Sequence, residues 1–231
     1  MGKKIAILQS NYIPWKGYFD IINKVDEFIL YDDMQYTKND WRNRNKIVTS
    51  AGVKWITIPI ETKGKRYQKI SEAQVVDHKW AEKHWKSIQY NYAKAEFFPK
   101  YAERFCKLYQ HCENEKYLSN INYMFLKEIC DILGIKTKIS WSSDYTLVDG
   151  KTERLVALVK AAGGDYYLSG PAAQNYIVED YFKQAGIELE WMVYSDYPQY
   201  RQLSDNFEHG VSVLDLIFNE GPNAPKYMKS F

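Results

Sequence analysis

The stretch QSNYIPWKGYFD at residues 9–20 follows directly on the apolar run KIAIL at residues 4–8. A short apolar run closed by a turn reads as a buried strand. The residues from about Tyr18 to Lys24 then take helical spacing, with Phe19, Ile22 and Val25 on one face. A second buried strand, EFILYD at Glu27–Asp32, comes next. Two strands joined through a helix imply a right-handed βαβ unit, hence a parallel sheet. The loop between strand and helix is unusual. A segment that only reverses the chain uses Gly, Asn, Asp and Ser; this one sets Tyr12, Trp15 and Tyr18 around Pro14 and Gly17.

Further along, KWITIPI at Lys54–Ile60 reads as a third strand, and from Trp80 to Leu133 the spacing turns helical. Stripes such as Trp85, Ile88, Tyr92 and Ile121, Phe125, Ile129, Leu133 mark core-facing helices that end at Gly134. Strand and helix then alternate again through Ile135–Trp141, Glu153–Ala162, Asp165–Ser169, Gln174–Ala185, Ile187–Tyr194 and Ser212–Asn219. The expected fold is α/β: a three-layer sandwich on a mostly parallel sheet, in one domain over 1–231, with a helical insert at about 79–134.

Composition narrows the function classes. Apolar residues make up 45% of the 231 and charged residues 26%, an ordinary globular balance. A net charge of +2 gives no global attraction to nucleic acid or an anionic membrane. Twenty Tyr and seven Trp exceed what one core absorbs, so surfaces or clefts for flat or sugar-like groups are expected. No apolar stretch reaches membrane-spanning length, and the short apolar run near the N-terminus is no signal peptide. Cys106, Cys112 and Cys130 are odd in number and lack CxxC spacing, which reads as reduced thiols and a cytoplasmic location. Four scattered His and no HExxH give no metal site. GxxxxGK[ST], GxGxxG after a strand, and GxSxG are all missing, which disfavours a Walker ATPase, a common dinucleotide oxidoreductase and a nucleophile-elbow hydrolase.

In an open parallel sheet, ligands bind beyond the carboxyl ends of the strands. Three segments fall there: QSNYIPWKGYFD, DDMQYTKNDWRNRNK at residues 32–46, and SGPAAQNY at residues 169–176. Each carries two readings. Asp32-Asp33 is either a strand-end turn or a pair that positions an amine or a cation. Trp41-Arg42-Asn43-Arg44 is either a solvated turn or a stacking plane beside two guanidinium forks for phosphate or carboxylate. Ser169-Gly170 is plain capping or an anion site at a helix start. His84 is a helix-face residue or a catalytic base. The expectation is one shared pocket built from Asn11, Trp15, Tyr18, Asp33, Gln35, Arg44, Ser169 and Tyr176.

These motifs together resemble the WbqC-like family, whose pattern runs Q-P-x-Y-x-P-W-x-G-Y-F, D-D-x-Q-[FY], W-x-N-R-N, Y-L-S-G-x-x-A-x-x-Y and L-S-x-x-D-L-x-F-N-x-G. The likeness spans essentially the whole chain, with Ser10 in place of the usual Pro and a final motif that begins V-S-V-L-D. It implies a place in O-antigen or other surface-polysaccharide biosynthesis, and a glycyl or other aminoacyl transferase role. A weaker resemblance joins the chain to the nucleotidylyltransferase-type fold. There an H-x-G-H loop holds the phosphates of ATP, and Trp15-Lys16-Gly17-Tyr18 occupies its place here. That likeness brings ATP with magnesium into view as cofactor, while the residues themselves name none.

The resulting expectation is a transferase that acylates an amino group on a nucleotide-linked sugar. Asp32, Asp33 and His84 are the candidate catalytic groups. Substrate contacts fall to Gln9, Asn11, Tyr12, Trp15, Gly17, Tyr18, Gln35, Tyr36, Trp41, Arg42, Asn43, Arg44, Ser169, Gly170 and Tyr176. Gly17 would let the loop approach an anionic ligand closely. The alternative is a non-catalytic nucleotide-sugar or carbohydrate binding module; RNA binding through WRNRNK is disfavoured by the near-neutral charge. Oligomeric state is left open.

Overall fold

The apolar run at the N-terminus does form a strand, β1 (Lys4–Leu8), and the run after it forms β2 (Glu27–Leu30), with helix α1 (Lys16–Asn23) between them. A computed structural model describes residues 2–231 and carries these elements into a five-stranded parallel sheet. Its other strands are β5 (Lys138–Trp141), β6 (Tyr166–Ser169) and β7 (Glu188–Trp191), in the order β5-β2-β1-β6-β7. Strand residues alternate between two cores. Ala6, Phe28, Leu30 and Leu168 face one; Ile5, Ile7, Ile29 and Tyr167 face the other. Helices α5 (Thr152–Ala161) and α6 (Glu179–Gln184) cover the second face. Helices α1 and α7 (Val213–Glu220), with the insert helices, cover the first. This is the three-layer α/β sandwich with a mostly parallel sheet.

The crossover from β2 to β5 carries most of the extra chain. Its helices are α2 (Trp80–Tyr92), α3 (Phe98–Cys112) and α4 (Leu118–Leu133), within the helical stretch expected at 79–134. Gly134, at φ 76°, ends α4 in the left-handed conformation that a side chain disfavours. One local expectation is corrected. KWITIPI is not a strand of the main sheet, and Arg44 does not sit in a solvated turn. Instead β3 (Arg44–Thr49) and β4 (Gly52–Thr57) form a separate antiparallel hairpin. Its inward residues Asn45, Ile47 and Ile56 pack toward the β1 loop and the first core, and the polar Asn45 masks the alternation.

Chain order reverses between β1 and β6, the place where doubly wound sheets open to ligands. Here the opening has a cause in register. β1 and β6 pair only at Lys4–Tyr166 and Ile5–Tyr167. Each then stays paired to its outer neighbour, β1 to β2 as far as Leu8–Leu30 and β6 to β7 as far as Ser169–Trp191. The sheet therefore splits at its carboxyl edge, and a cleft forms in the split.

Candidate functional site: a cation-lined cleft at the split in the sheet

The cleft measures about 780 Å³, within the size range of small-molecule sites. Ile7 and Leu8 from β1 and Leu155 from α5 supply apolar wall. The loop after β1 adds Gln9 and Asn11; the end of β6 adds Ser169, Gly170 and Tyr176. Arg42 reaches in from the segment before the hairpin, and Lys151 and Arg154 from the start of α5. Three cationic side chains thus line the cleft and no carboxylate does.

Two of these cations are held in place by hydrogen bonds. Arg42 Nη1 donates to Asn11 Oδ1 at 2.5 Å, while its nearest carboxylate, Asp40, is 3.5 Å away. Arg154 Nε donates to the Val148 carbonyl at 2.6 Å, and its Nη2 stands 3.8 Å from the exposed Asp149. Burial raises the Tyr31 hydroxyl pKa, and the neighbouring Arg154 works against that rise. The amino end of α5 meets the cleft at Gly150 and Lys151, adding the partial positive charge of a helix start. Such a wall matches phosphate or carboxylate oxygens and gives a magnesium ion no carboxylate ligand. Among the described residues, no group of three or more His, Cys, Asp or Glu side chains is placed to hold a metal.

Of the residues singled out in the sequence, the cleft unites Gln9, Asn11, Arg42, Ser169, Gly170 and Tyr176. Trp15 and Trp41 line a neighbouring cavity of about 330 Å³ with Asn11, Pro14, Asn45 and His209. The others have structural work. Tyr12 is fully buried, its ring edge-on to Trp80 and Phe125. Tyr18 is buried and donates to the Gln9 carbonyl. Gly17 lies buried in the first turn of α1, where a Cβ would fall 2.3 Å from the Trp15 indole. Its bareness makes room for Trp15. Asn43 donates to the Ile58 carbonyl, and Arg44 lies over Trp55 at 4.2 Å. Gln35 donates to the Arg66 carbonyl on the surface, and burial pushes the Tyr36 hydroxyl up to about 12.

The three candidate catalytic groups are committed elsewhere. Asp32 is buried and accepts from the Ser10 backbone N–H at 2.8 Å and from the Ser119 hydroxyl. Burial raises its pKa, opposed by those donors and by Arg42. Asp33 accepts from Ser142 Oγ at 2.7 Å and pairs with Lys69 at 3.1 Å. His84 sits in the core against Tyr12, with Nδ1 3.0 Å from that hydroxyl, and burial lowers its pKa to about 4. None of the three lines the cleft. Lys151, Arg154 and Tyr31 are not singled out by the sequence: KTER at a helix start reads equally as a solvated cap, and Tyr31 as the end of a strand.

Comparison with known proteins places the chain in a family, with a match that covers both banks of the split. The chain belongs to the WbqC-like protein family. The family model matches residues 9–227. An uncharacterized protein of Mycobacterium tuberculosis (strain ATCC 25618 / H37Rv), Rv1507c, is 49% identical over 227 residues, covering 98% of each chain. No solved structure matches the chain. The matched stretch begins at Gln9, which lines the cleft, and includes the YLSG run at residues 167–170 that ends β6 on the opposite bank. No helix among the described residues is long and apolar enough to cross a membrane.

Proposed function

We propose that the cleft holds the phosphates of a nucleotide-linked sugar, and that the protein acylates an amino group of that sugar in surface-polysaccharide biosynthesis. The observation that carries this reading is the wall of Arg42, Lys151 and Arg154 with no facing carboxylate. Paired phosphates are the common small-molecule group that satisfies several guanidinium and ammonium donors at once. Tyr31 and Tyr176 give the flat portion of a ligand an amphipathic surface to lie against. Family membership supports the polysaccharide setting, and the glycyl or aminoacyl donor follows from the family likeness alone.

The chemistry assigned to the chain's own residues is binding and orientation. Gln9 and Asn11 at one bank, and Ser169 and the Gly170 backbone at the other, offer uncharged hydrogen-bonding groups around the anion. A second reading, the non-catalytic binding module, is favoured by one observation: no imidazole or carboxylate lines the cleft itself.

Thermal denaturation with UDP-, dTDP- and GDP-linked sugars and with ATP tests the binding step. A ligand present at a hundred times its Kd stabilises the fold by about 2.7 kcal/mol. Arg42→Ala and Arg154→Ala should each weaken that ligand by about tenfold to a hundredfold. A response that survives both substitutions removes the cleft from consideration. Mass spectrometry of an amino-sugar nucleotide incubated with activated aminoacyl donors then separates the transferase from the binding module.

A further inference from the structure

Beside the charged cleft, the smaller cavity has a different wall. Two indoles, Trp15 and Trp41, the amides of Asn11 and Asn45, and the imidazole of His209 form most of it. No acidic side chain, lysine or arginine lines it. Its volume of about 330 Å³ is at the small end of ligand sites, nearer to one ring than to a nucleotide. Flat apolar faces with amides between them suit a ligand that is apolar on its faces and hydroxylated at its rim.

The two spaces share Asn11. Arg42 donates to the Asn11 side-chain oxygen Oδ1, which leaves the side-chain Nδ2 hydrogens for a ligand. The wall is also firmly built. Ile13, buried beside it, has φ 37°, a conformation a β-branched residue adopts only under constraint. Asn45 Nδ2 donates to the Tyr12 and Ile13 carbonyls at 3.1 and 2.9 Å and fixes that bend. On the far side, His209 Nδ1 is buried and, among the described residues, has no hydrogen-bond partner. Burial, with Lys16 adding to it and Glu208 opposing, lowers the pKa of this ring.

We propose that this chamber is the sugar-ring subsite, with Trp15 and Trp41 against the ring faces and Asn11 and His209 at its polar rim. The inference rests on the nucleotide-sugar reading of the cleft, and deepens it by separating the diphosphate site from the sugar site. One ligand would bridge the two at Asn11.

Calorimetric titration of the full chain with UDP and UDP-N-acetylglucosamine, and with GDP and GDP-mannose, tests the separation. At least one sugar conjugate should bind about tenfold tighter than its free diphosphate, a difference of about 1.4 kcal/mol. Trp41→Ala and His209→Ala should each reduce that advantage to about threefold or less while the free diphosphate binds as before. Trp41 is 39% exposed, so the first variant should keep the fold, and its melting curve checks this. The subsite is overturned if no conjugate outbinds its diphosphate, or if the advantage survives in both folded variants. If no diphosphate binds, the cleft reading fails on its own. The chamber is then judged on free N-acetylglucosamine at high concentration: unchanged tryptophan fluorescence overturns it, and quenching lost in Trp41→Ala upholds it.

Discussion

On the β2 side of the split, Asp32 commits its carboxylate to Ser10 and Ser119, and Asn122 ties Ser10 Oγ to the Arg42 carbonyl. On the β6 side, Lys151, Arg154 and Tyr176 bring charge and a half-exposed ring to the cleft with few internal partners. The side with the conspicuous carboxylates spends them on scaffold and offers the cleft only Arg42, and the side with an ordinary helix start supplies Lys151 and Arg154. A buried carboxylate held by hydrogen bonds keeps a loop in place; a cation whose nearest carboxylate is exposed and 3.8 Å off, as Asp149 is from Arg154, is open to a ligand. Substitutions on the two banks should therefore fail in different ways.

Asp32→Ala carries the largest expected effect. It strands the Ser10 N–H and opens a gap between the β1 loop and α4, so the fold should lose about 2–4 kcal/mol. Arg154→Ala, by contrast, gives up one hydrogen bond from a partly buried side chain and should cost about 1 kcal/mol or less. Urea unfolding of both variants checks the pair. Equal stabilities would erase the distinction between the banks.

Gly17→Ala sharpens the comparison within the β1 loop itself. The new Cβ meets the Trp15 indole, which packs against Tyr194 and Tyr197 at 5.2 and 5.4 Å between ring centres. Pushing that ring aside should cost about 1–3 kcal/mol, the range of an overpacked core. Nucleotide affinity should hold, because the displaced ring lines the smaller cavity and not the cleft. A variant that folds normally but binds no nucleotide would return Gly17 to the role of phosphate cradle.

That reversal shows what the sequence could carry. The parallel sheet was legible because KIAIL, EFIL and YYLS are short apolar runs at strand spacing, and the site's location follows from strand ends alone. Which aromatics face a ligand was not legible. Tyr12, Trp15 and Tyr18 look alike in a string, and only packing sends the first to the core, the second to a cavity wall and the third to the Gln9 carbonyl. Arg154 was hidden for the opposite reason. Its helix returns from β5 to β6 across the second face, and that topology, rather than any local pattern, brings it over the cleft. The hairpin was obscured by Asn45, a polar residue on a buried strand face that breaks the expected alternation.

The smallest effects expected are slopes with pH, and they come from two buried groups outside both cavities. His84 is held neutral, with its pKa lowered by burial to about 4 against a backbone contact with Thr57 that raises it. The unfolded chain therefore takes up a proton that the fold refuses between about 6.5 and 4, and acid favours unfolding. Asp215 behaves in the opposite sense. Burial raises its pKa to about 6, opposed by hydrogen bonds from Tyr200, Tyr92 and Gln202. The fold keeps a proton that the unfolded chain releases above about 4, so this contribution is lost as pH rises through 6. From pH 7 to 5, His84 should remove about 2 kcal/mol and Asp215 return about 1, leaving a shallow slope. His84→Gln should then gain about 1 kcal/mol over that step, and Asp215→Asn should lose about 2. Urea midpoints at the two pH values measure both. If His84 served instead as a base reachable from solvent, its ring would titrate near its ordinary value in the fold, and His84→Gln would leave the parent's slope unchanged.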